Sequence, residues 1–247
     1  MIRGIYTAAS GMLAEAIRAD VTANNLANAN TAGYKKDVAL SRDFAGILIS
    51  RINDGPDAPV IGSLGLGAVV DNVATIHTAG MMRSTGNALD LAIDGRGFFV
   101  VATPAGLRYT RNGAFTRNSE GELVTQAGYR VMGQAGPVRL NSGAKVTIDA
   151  DGRVFVDEVE VDRLQVVDFP DQRALVKEGD SLFAAPGAAP QAGSGQVRQG
   201  VLELANVNVV AEMVNLIAGY RAYEINAKMV QTHDQLLDKA VNEVGKV

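Results

Sequence analysis

The chain has 247 residues, no cysteine and no tryptophan, 27 glycines against 7 prolines, and 23 basic against 27 acidic side chains. That length accommodates one large domain or two smaller ones with a real core, and 47% hydrophobic against 20% charged residues excludes wholesale disorder. Without cysteine there is no disulfide framework, thiolate metal site or cysteine nucleophile, while a net charge of −4 and 5% aromatics argue against a nucleic-acid face or a stacking platform.

The first segment is helical by period. Ile5, Ala9, Met12, Ala16, Ala19, Ala23 and Leu26 alternate four- and three-residue spacings, which predicts a helix with one seam. Most of these positions are alanine, so the seam is thin and needs a close partner. Asn28, Asn30, Thr31 and Gly33 end the pattern with residues that favour caps and turns. Glu15, Arg18 and Asp20 interrupt anything like the apolar stretch of a signal peptide.

Residues 33–80 read as mixed, with a short helix expected at 42–51 and a glycine-rich stretch at 62–67. From residue 92 to about 185 the text becomes short apolar or alternating runs, at 98–102, 114–116, 122–125, 129–132, 146–148, 154–156 and 164–169. Asp94-Gly95, Asn112-Gly113, Glu120-Gly121 and Asp151-Gly152 punctuate them as hairpin-type turns, so the middle of the chain is predicted to be all-β. Residues 186–195 read as a flexible loop.

The last segment mirrors the first. Val209, Met213, Leu216, Tyr220, Tyr223, Ala227, Val230, Asp234, Leu237, Val241 and Val244 again alternate four and three, with Asp234 the one polar member. If continuous, that helix reaches roughly 54 Å. No apolar run reaches the roughly 18 residues a membrane-spanning helix needs.

Motifs for catalysis are missing from this text. His77 and His233 lack a second ligand at zinc spacing and read as structural. Asp149-Ala150-Asp151-Gly152 has part of a calcium loop but lacks its closing glutamate, and reads as a hairpin turn. No phosphate cradle or nucleophile elbow is spelled out. The expectation is therefore no catalytic site, no cofactor and no metal, and a protein that is not an enzyme.

Four stretches in order carry a resemblance. Ala23-Asn24-Asn25-Leu26-Ala27-Asn28, followed by Thr31-Ala32-Gly33-Tyr34-Lys35, resembles the signature of the flagellar rod and hook family. Leu89-Asp90-Leu91-Ala92-Ile93-Asp94-Gly95-Arg96-Gly97-Phe98-Phe99 looks like that family's entry into its β domain, and Tyr109-Thr110-Arg111-Asn112-Gly113-Ala114-Phe115 like its next hairpin. Asn206-Val207-Asn208-Val209-Val210, with Arg221-Ala222-Tyr223-Glu224-Ile225-Asn226-Ala227-Lys228, is similar to its C-terminal helix. The short β portion fits a rod protein of that family better than its hook protein; the opening from Ile5 to Met12, the stretch from Leu164 to Phe169 and the modest length look most like the proximal-rod, F-type member, and the C-terminal segment equally like the distal-rod, G-type member.

The resemblance implies a structural axial subunit of the basal-body rod, which spans the periplasm and is exported through the flagellar type III apparatus without a cleaved leader. Its expected partners are adjacent rod and hook proteins and the export apparatus, with no nucleic acid, small-molecule ligand or transmembrane segment. The fold class expected is α+β, with paired N- and C-terminal helices flanking a mainly antiparallel all-β middle. Residues 1–35 with 203–247 would form a helical inner core, 36–80 an irregular connector and 81–202 a β-rich outer domain. The assembly interface is expected at Ile5, Met12, Leu26, Asn24, Asn25 and Asn28 on the first helix, and at Val209, Met213, Leu216, Tyr220, Tyr223, Val230 and Leu237 on the last. Three other readings stand beside it: a distal-rod or hook-type axial subunit of the same family, a module whose last helix docks an export partner, and a wall-acting hydrolase, which would need two carboxylates about 5–10 Å apart in a cleft.

Overall fold

The computed structural model describes residues 2–44, 46–50, 60–140 and 145–244. They divide into two compact units, and the chain passes between them more than once. Unit 1 holds residues 1–26, 37–74 and 209–247; unit 2 holds 27–36 and 75–208. The fold is α+β, as the sequence predicts.

Unit 1 opens with α1 (Ile2–Ala27), followed by β1 (Asp37–Asp43), β2 (Ile47–Ser50), β3 (Val60–Leu64) and β4 (Ala68–Thr75). Strands β1 and β4 pair as a two-stranded ribbon, and β2 and β3 as a second one. The ribbon β1–β4 lies along α1 and is fixed at both ends. At one end the Asn25 amide donates to Asp37 O (2.8 Å) and accepts from Asp37 N–H (2.9 Å). At the other, Ala68 N–H donates to Ser10 Oγ (3.3 Å), and Phe44 N–H to Gly67 O (2.8 Å). The lengths agree: the fifteen residues from Ser10 to Asn25 rise about 22 Å as helix, and seven residues of strand cover about 23 Å. The expected helix at 42–51 is replaced by the end of β1 and by β2. The run Ile47-Leu48-Ile49 has β-branched residues and no helical period, and it finds a ladder partner in β3.

Unit 2 is built of short strands: β5 (Met82–Ser84), β6 (Leu91–Asp94), β7 (Phe98–Thr103), β8 (Gly106–Thr110), β9 (Phe115–Arg117), β10 (Leu123–Thr125) and β11 (Arg130–Val131). There follow β12 (Val146–Ile148), β13 (Arg153–Val156), β14 (Val159–Arg163), β15 (Val166–Asp168), β16 (Val176–Glu178), β17 (Leu182–Ala184), β18 (Gln191–Ala192), β19 (Gln196–Gln199) and β20 (Val201–Glu203). The main sheet runs β16-β17-β8-β7-β11-β10-β9, with β15 paired to β7 and β18 to β15; β12-β13-β14 form a separate meander, β19 pairs β6, and β20 pairs β5. All registered pairings are antiparallel. Strand β18 falls inside the stretch read as a flexible loop, where it pairs Val167 and Asp168 of β15.

Strand β7 is why the core takes this form. Phe98-Phe99-Val100-Val101 is apolar on both faces, as befits a strand covered on both sides. Phe99 and Val101 enter a cluster with Leu91, Ile93, Phe115, Leu123 and Val138, while Phe98 and Val100 enter a second with Tyr109, Phe169 and Phe183. The turns around it follow the sequence reading. Asp149 Oδ1 accepts from Asp151 N–H and Arg153 N–H, making 149–152 the β12–β13 hairpin turn.

The chain returns to unit 1 with α2 (Val209–Lys239), one uninterrupted helix of about 46 Å that ends in a wider π turn over Ala240–Val244. Glu212 lies in its first turn, where the helix dipole favours an acid. No helix among the described residues is long and apolar enough to cross a membrane.

Candidate functional site

Helices α1 and α2 pack antiparallel through small residues. A Cβ built on Gly4 would lie 2.5 Å from His233 Nε2, one on Gly11 2.9 Å from Asn226 Nδ2, and one on Gly219 3.5 Å from Glu15 Oε2. As the number rises on α1 it falls on α2. At Gly4 and Gly11 only a hydrogen fits between the helix and its neighbour.

The residues turned inward on α1 are Ala8, Ala14, Thr22 and Asn25, all buried, with Ile5, Met12 and Leu26 half-buried beside them. Ala9 and Ala23, which the spacing puts in the seam, are exposed; the stripe runs one residue earlier, through 8 and 22. On α2 the inward stripe is Glu212, Leu216, Gly219, Asn226, Val230, His233 and Leu237. His233 thus takes the place the pattern gives to Asp234, which is exposed. Of the expected interface residues, Leu216, Val230 and Leu237 are half-buried and Val209, Met213 and Tyr220 are exposed, whereas Tyr223 borders Glu15, Ala16 and Ala19 of α1. Asn24 is exposed, Asn28 half-buried, and Asn25 is spent on the backbone of Asp37.

The outer face of α2 is unusually apolar. Val210, Met213, Val214, Ile217 and Tyr220 recur at three- and four-residue steps and are 71%, 47%, 60%, 54% and 59% exposed. With the inner stripe this makes two seams on one helix, of which the single chain covers one. Tyr6 and Leu13 of α1, one above the other at a seven-residue step, are likewise exposed.

A second feature lies within unit 2, beside three of the four points where the chain crosses between units. Residues 33–36, 76–81 and 203–206 are tied into one node. Lys35 Nζ donates to Glu203 Oε1 (2.5 Å) and to Thr78 O (2.8 Å), and Gly80 N–H donates to the same carboxylate oxygen (2.8 Å). Arg111 Nη1 reaches Glu203 Oε2 at 3.4 Å and Ile93 O at 3.0 Å, Nη2 donates to Gly95 O (2.6 Å), and the guanidinium lies 5.5 Å from the Phe98 ring centre. The side chains of Lys35, Glu203 and Arg111 are 1%, 0% and 5% exposed. Burial pushes the Lys35 ammonium below its ordinary 10.5, with Glu203 working against that shift; burial likewise lowers Arg111.

Around this cluster Asn206 bridges the other two segments. Its side chain accepts from Lys36 N–H (2.7 Å) and donates to Ile76 O (2.7 Å), while Ile76 N–H donates to Lys36 O (2.9 Å). Gly33, at φ 67°, presses its backbone against Arg111 and Asn112 so closely that a Cβ would sit 2.3 Å from the Arg111 carbonyl carbon. Lys177 caps the turn, donating to Lys35 O (2.7 Å) and lying 3.9 Å over the Tyr34 ring. Lys35, Arg111 and Asn206 stand in motifs the sequence displays, but nothing in their spacing pairs them with Glu203.

The carboxylates buried in unit 2 are each engaged. Glu203 belongs to the node, Glu122 meets Arg130 Nε at 2.8 Å, and Asp90 accepts from Thr85 Oγ1 and Asn87 Nδ2. Among the described residues no cluster of ligating side chains could hold a metal ion.

Comparison with known proteins follows the same three regions. Residues 5–35 match the flagella basal body rod protein family, 92–156 the flagellar hook protein FlgE/F/G D1 domain, and 198–243 the flagellar basal body rod FlgEFG protein C-terminal family. The chain is 37% identical to the flagellar basal-body rod protein FlgF of Caulobacter vibrioides over the whole of both chains. It is 34% identical to FlgG of Borreliella burgdorferi, with 98% of each chain covered, and 32% to FlgG of Bacillus subtilis, with 98% of this chain and 99% of the relative covered. Terminal helices, β middle and motif order agree with these matches from one end to the other, and the chain belongs to the family of flagellar basal-body rod proteins.

Proposed function

We propose that this chain is a structural axial subunit that polymerises through its terminal helices into the rod, the tube that carries motor torque across the envelope. The observation that carries the reading is the second apolar seam of α2, Val210, Met213, Val214, Ile217 and Tyr220, which the chain leaves uncovered. A soluble monomer does not keep such a face for itself, and one heterologous contact repeated without closing generates a helical tube. Its neighbours are then other rod and hook subunits, reached by way of the flagellar export apparatus, and its place is the rod within the basal body. Of the expected interface residues, Met213 and Tyr220 belong to this exposed face.

The chain works without catalysis in this reading, which the structural role named for its rod relatives supports. Within the family it is assigned to the proximal-rod, F-type position. The distal-rod alternative is kept by a 36% identity to FlgG of Caulobacter vibrioides, over 96% of this chain.

The test uses Ile217→Asp in cells that lack their own copy. Ile217 is mostly exposed in the chain, so the variant monomer should keep wild-type circular dichroism and thermal stability. In a rod the aspartate would have to shed its hydration against apolar neighbours, at a cost above about 3 kcal/mol, or more than a hundredfold in affinity per contact. Purified basal bodies should then lack the variant by immunoblot and electron microscopy. Incorporation at the wild-type level would reject the α2 face as the assembly surface.

A further inference from the structure

Lys35 and Arg111 bring two cations into the interior of unit 2, and the carboxylate that touches both is Glu203. The partners are far apart in the chain, with Glu203 following Lys35 by 168 residues and Arg111 by 92. It arrives on β20, six residues before α2 begins. Strands β19 and β20, which carry it in, also cover β6 and β5, and they bring Val197 and Leu202 into the interior.

We propose that the Lys35–Glu203–Arg111 cluster is a latch that fastens unit 2 only once the segment carrying Glu203 has been delivered. The physical ground is that two buried cations without a counter-charge are far costlier than two with one. A chain that has delivered residues 27–202 but not 203–206 must leave Lys35 and Arg111 in water. It therefore leaves the 33–36 and 76–81 segments without the Lys35 and Glu203 bonds that fasten the node. Closure then secures the node in one step, because the same carboxylate also accepts from Gly80 N–H and the following residues supply Asn206. A chain threaded N-terminus first thus stays unfastened at the node until nearly all of unit 2 has passed. That use rests on the function proposed above; the latch itself does not.

The charged and titratable groups near Lys35 are few. Glu203 comes from β20, Arg111 from the turn after β8, and Lys177 from β16, its ammonium on the Lys35 carbonyl. Asp168 of β15 acts on Arg111 from further away, and His77, in the 76–81 segment, packs against the Phe98 and Phe183 rings.

The test compares urea unfolding of the full-length chain, its Glu203→Gln variant and the Lys35→Met/Glu203→Gln double variant between neutral and alkaline pH. For Glu203→Gln the folded-to-unfolded ratio near neutrality should fall at least ~100-fold, the usual consequence of orphaning a buried charge. Folding then has to strip a proton from Lys35, so the unfolded state binds more protons and stability rises with pH toward the ordinary lysine value of 10.5. The double variant, with no ammonium to bury, should recover part of the loss near neutrality and have a flatter pH profile. A Glu203→Gln protein within about fivefold of wild type would overturn the latch, since so small a loss is not that of an orphaned buried charge. So would a large loss that neither depends on pH nor is relieved by Lys35→Met, because the carboxylate would then act through its bonds and not its charge. If Glu203→Gln does not fold at all, recovery of folding in the double variant decides the matter, and failure there refutes the proposal. None of these readings depends on whether the chain enters a rod.

Discussion

Alanine at Gly4 sets a local gain against a steric loss, and the geometry fixes which prevails. The added methyl would meet three atoms of one imidazole, His233 Nε2 at 2.5 Å, Cε1 at 2.8 Å and Cδ2 at 3.2 Å. Carbon contacts settle near 3.5–4.0 Å, so the ring must retreat by about 1 Å or the helices must part. Overpacking of this kind costs about 1–3 kcal/mol. Helix propensity returns at most about 1 kcal/mol, and less in the first turn of α1, which begins at Ile2. Gly4→Ala should therefore destabilise the helix pair by about 0.5–2 kcal/mol. His233→Ala removes a half-buried ring and should cost about 1–2 kcal/mol. In the double variant the new methyl enters space the ring has left, and the second substitution becomes neutral or stabilising, a coupling of about 1–2 kcal/mol. Urea titrations followed by far-ultraviolet circular dichroism, which reads the two helices, measure all four corners of this cycle. Effects that add to within about 0.3 kcal/mol would refute close packing of α1 on α2 at this point.

Two further substitutions probe the fastenings. Asn25→Ala strips both bonds from the Asp37 backbone and should cost about 2–3 kcal/mol, with loss of hydrogen-exchange protection at Asp37; unchanged protection would show the ribbon held by other contacts. Gly33→Ala meets both a positive φ and the Arg111 backbone and should cost about 3–5 kcal/mol in the unfolding of unit 2. Gly33→Asn, which tolerates the φ but not the contact, should do no better, and its tolerance would assign the position to backbone conformation alone.

The period of the terminal segments is enough to find both helices, and the alternation and turn residues find most strands of unit 2. The register of the helix pair is harder to read. On α1 the inward positions are Gly4, Ala8, Gly11, Thr22 and Asn25, small or polar residues that give no hydrophobic signal. On α2 large apolar residues stand on two sides, so a search for one seam mixes the inner Leu216 and Val230 with the outer Met213 and Tyr220. Ile47-Leu48-Ile49 was too short for its period to decide, and its partner β3 lies beyond it in the chain. The node fails for another reason. Lys35, Arg111 and Glu203 are ordinary charged residues in sequence, and only the antiparallel pairing of β20 with β5 brings the last of them to the first two.

Lys36 and Ile76 are bonded to one another, so the segment between them leaves and re-enters unit 2 at a single point. Topologically it is a closed excursion, and strands β1 and β4 carry it out and back side by side. Residues added or removed at its far end change its reach while both feet stay where they are. Loop-closure entropy grows only as the logarithm of length, so such changes weigh little on the stability of the β-rich unit. The excursion can thereby change in length at little cost to the sheets of unit 2.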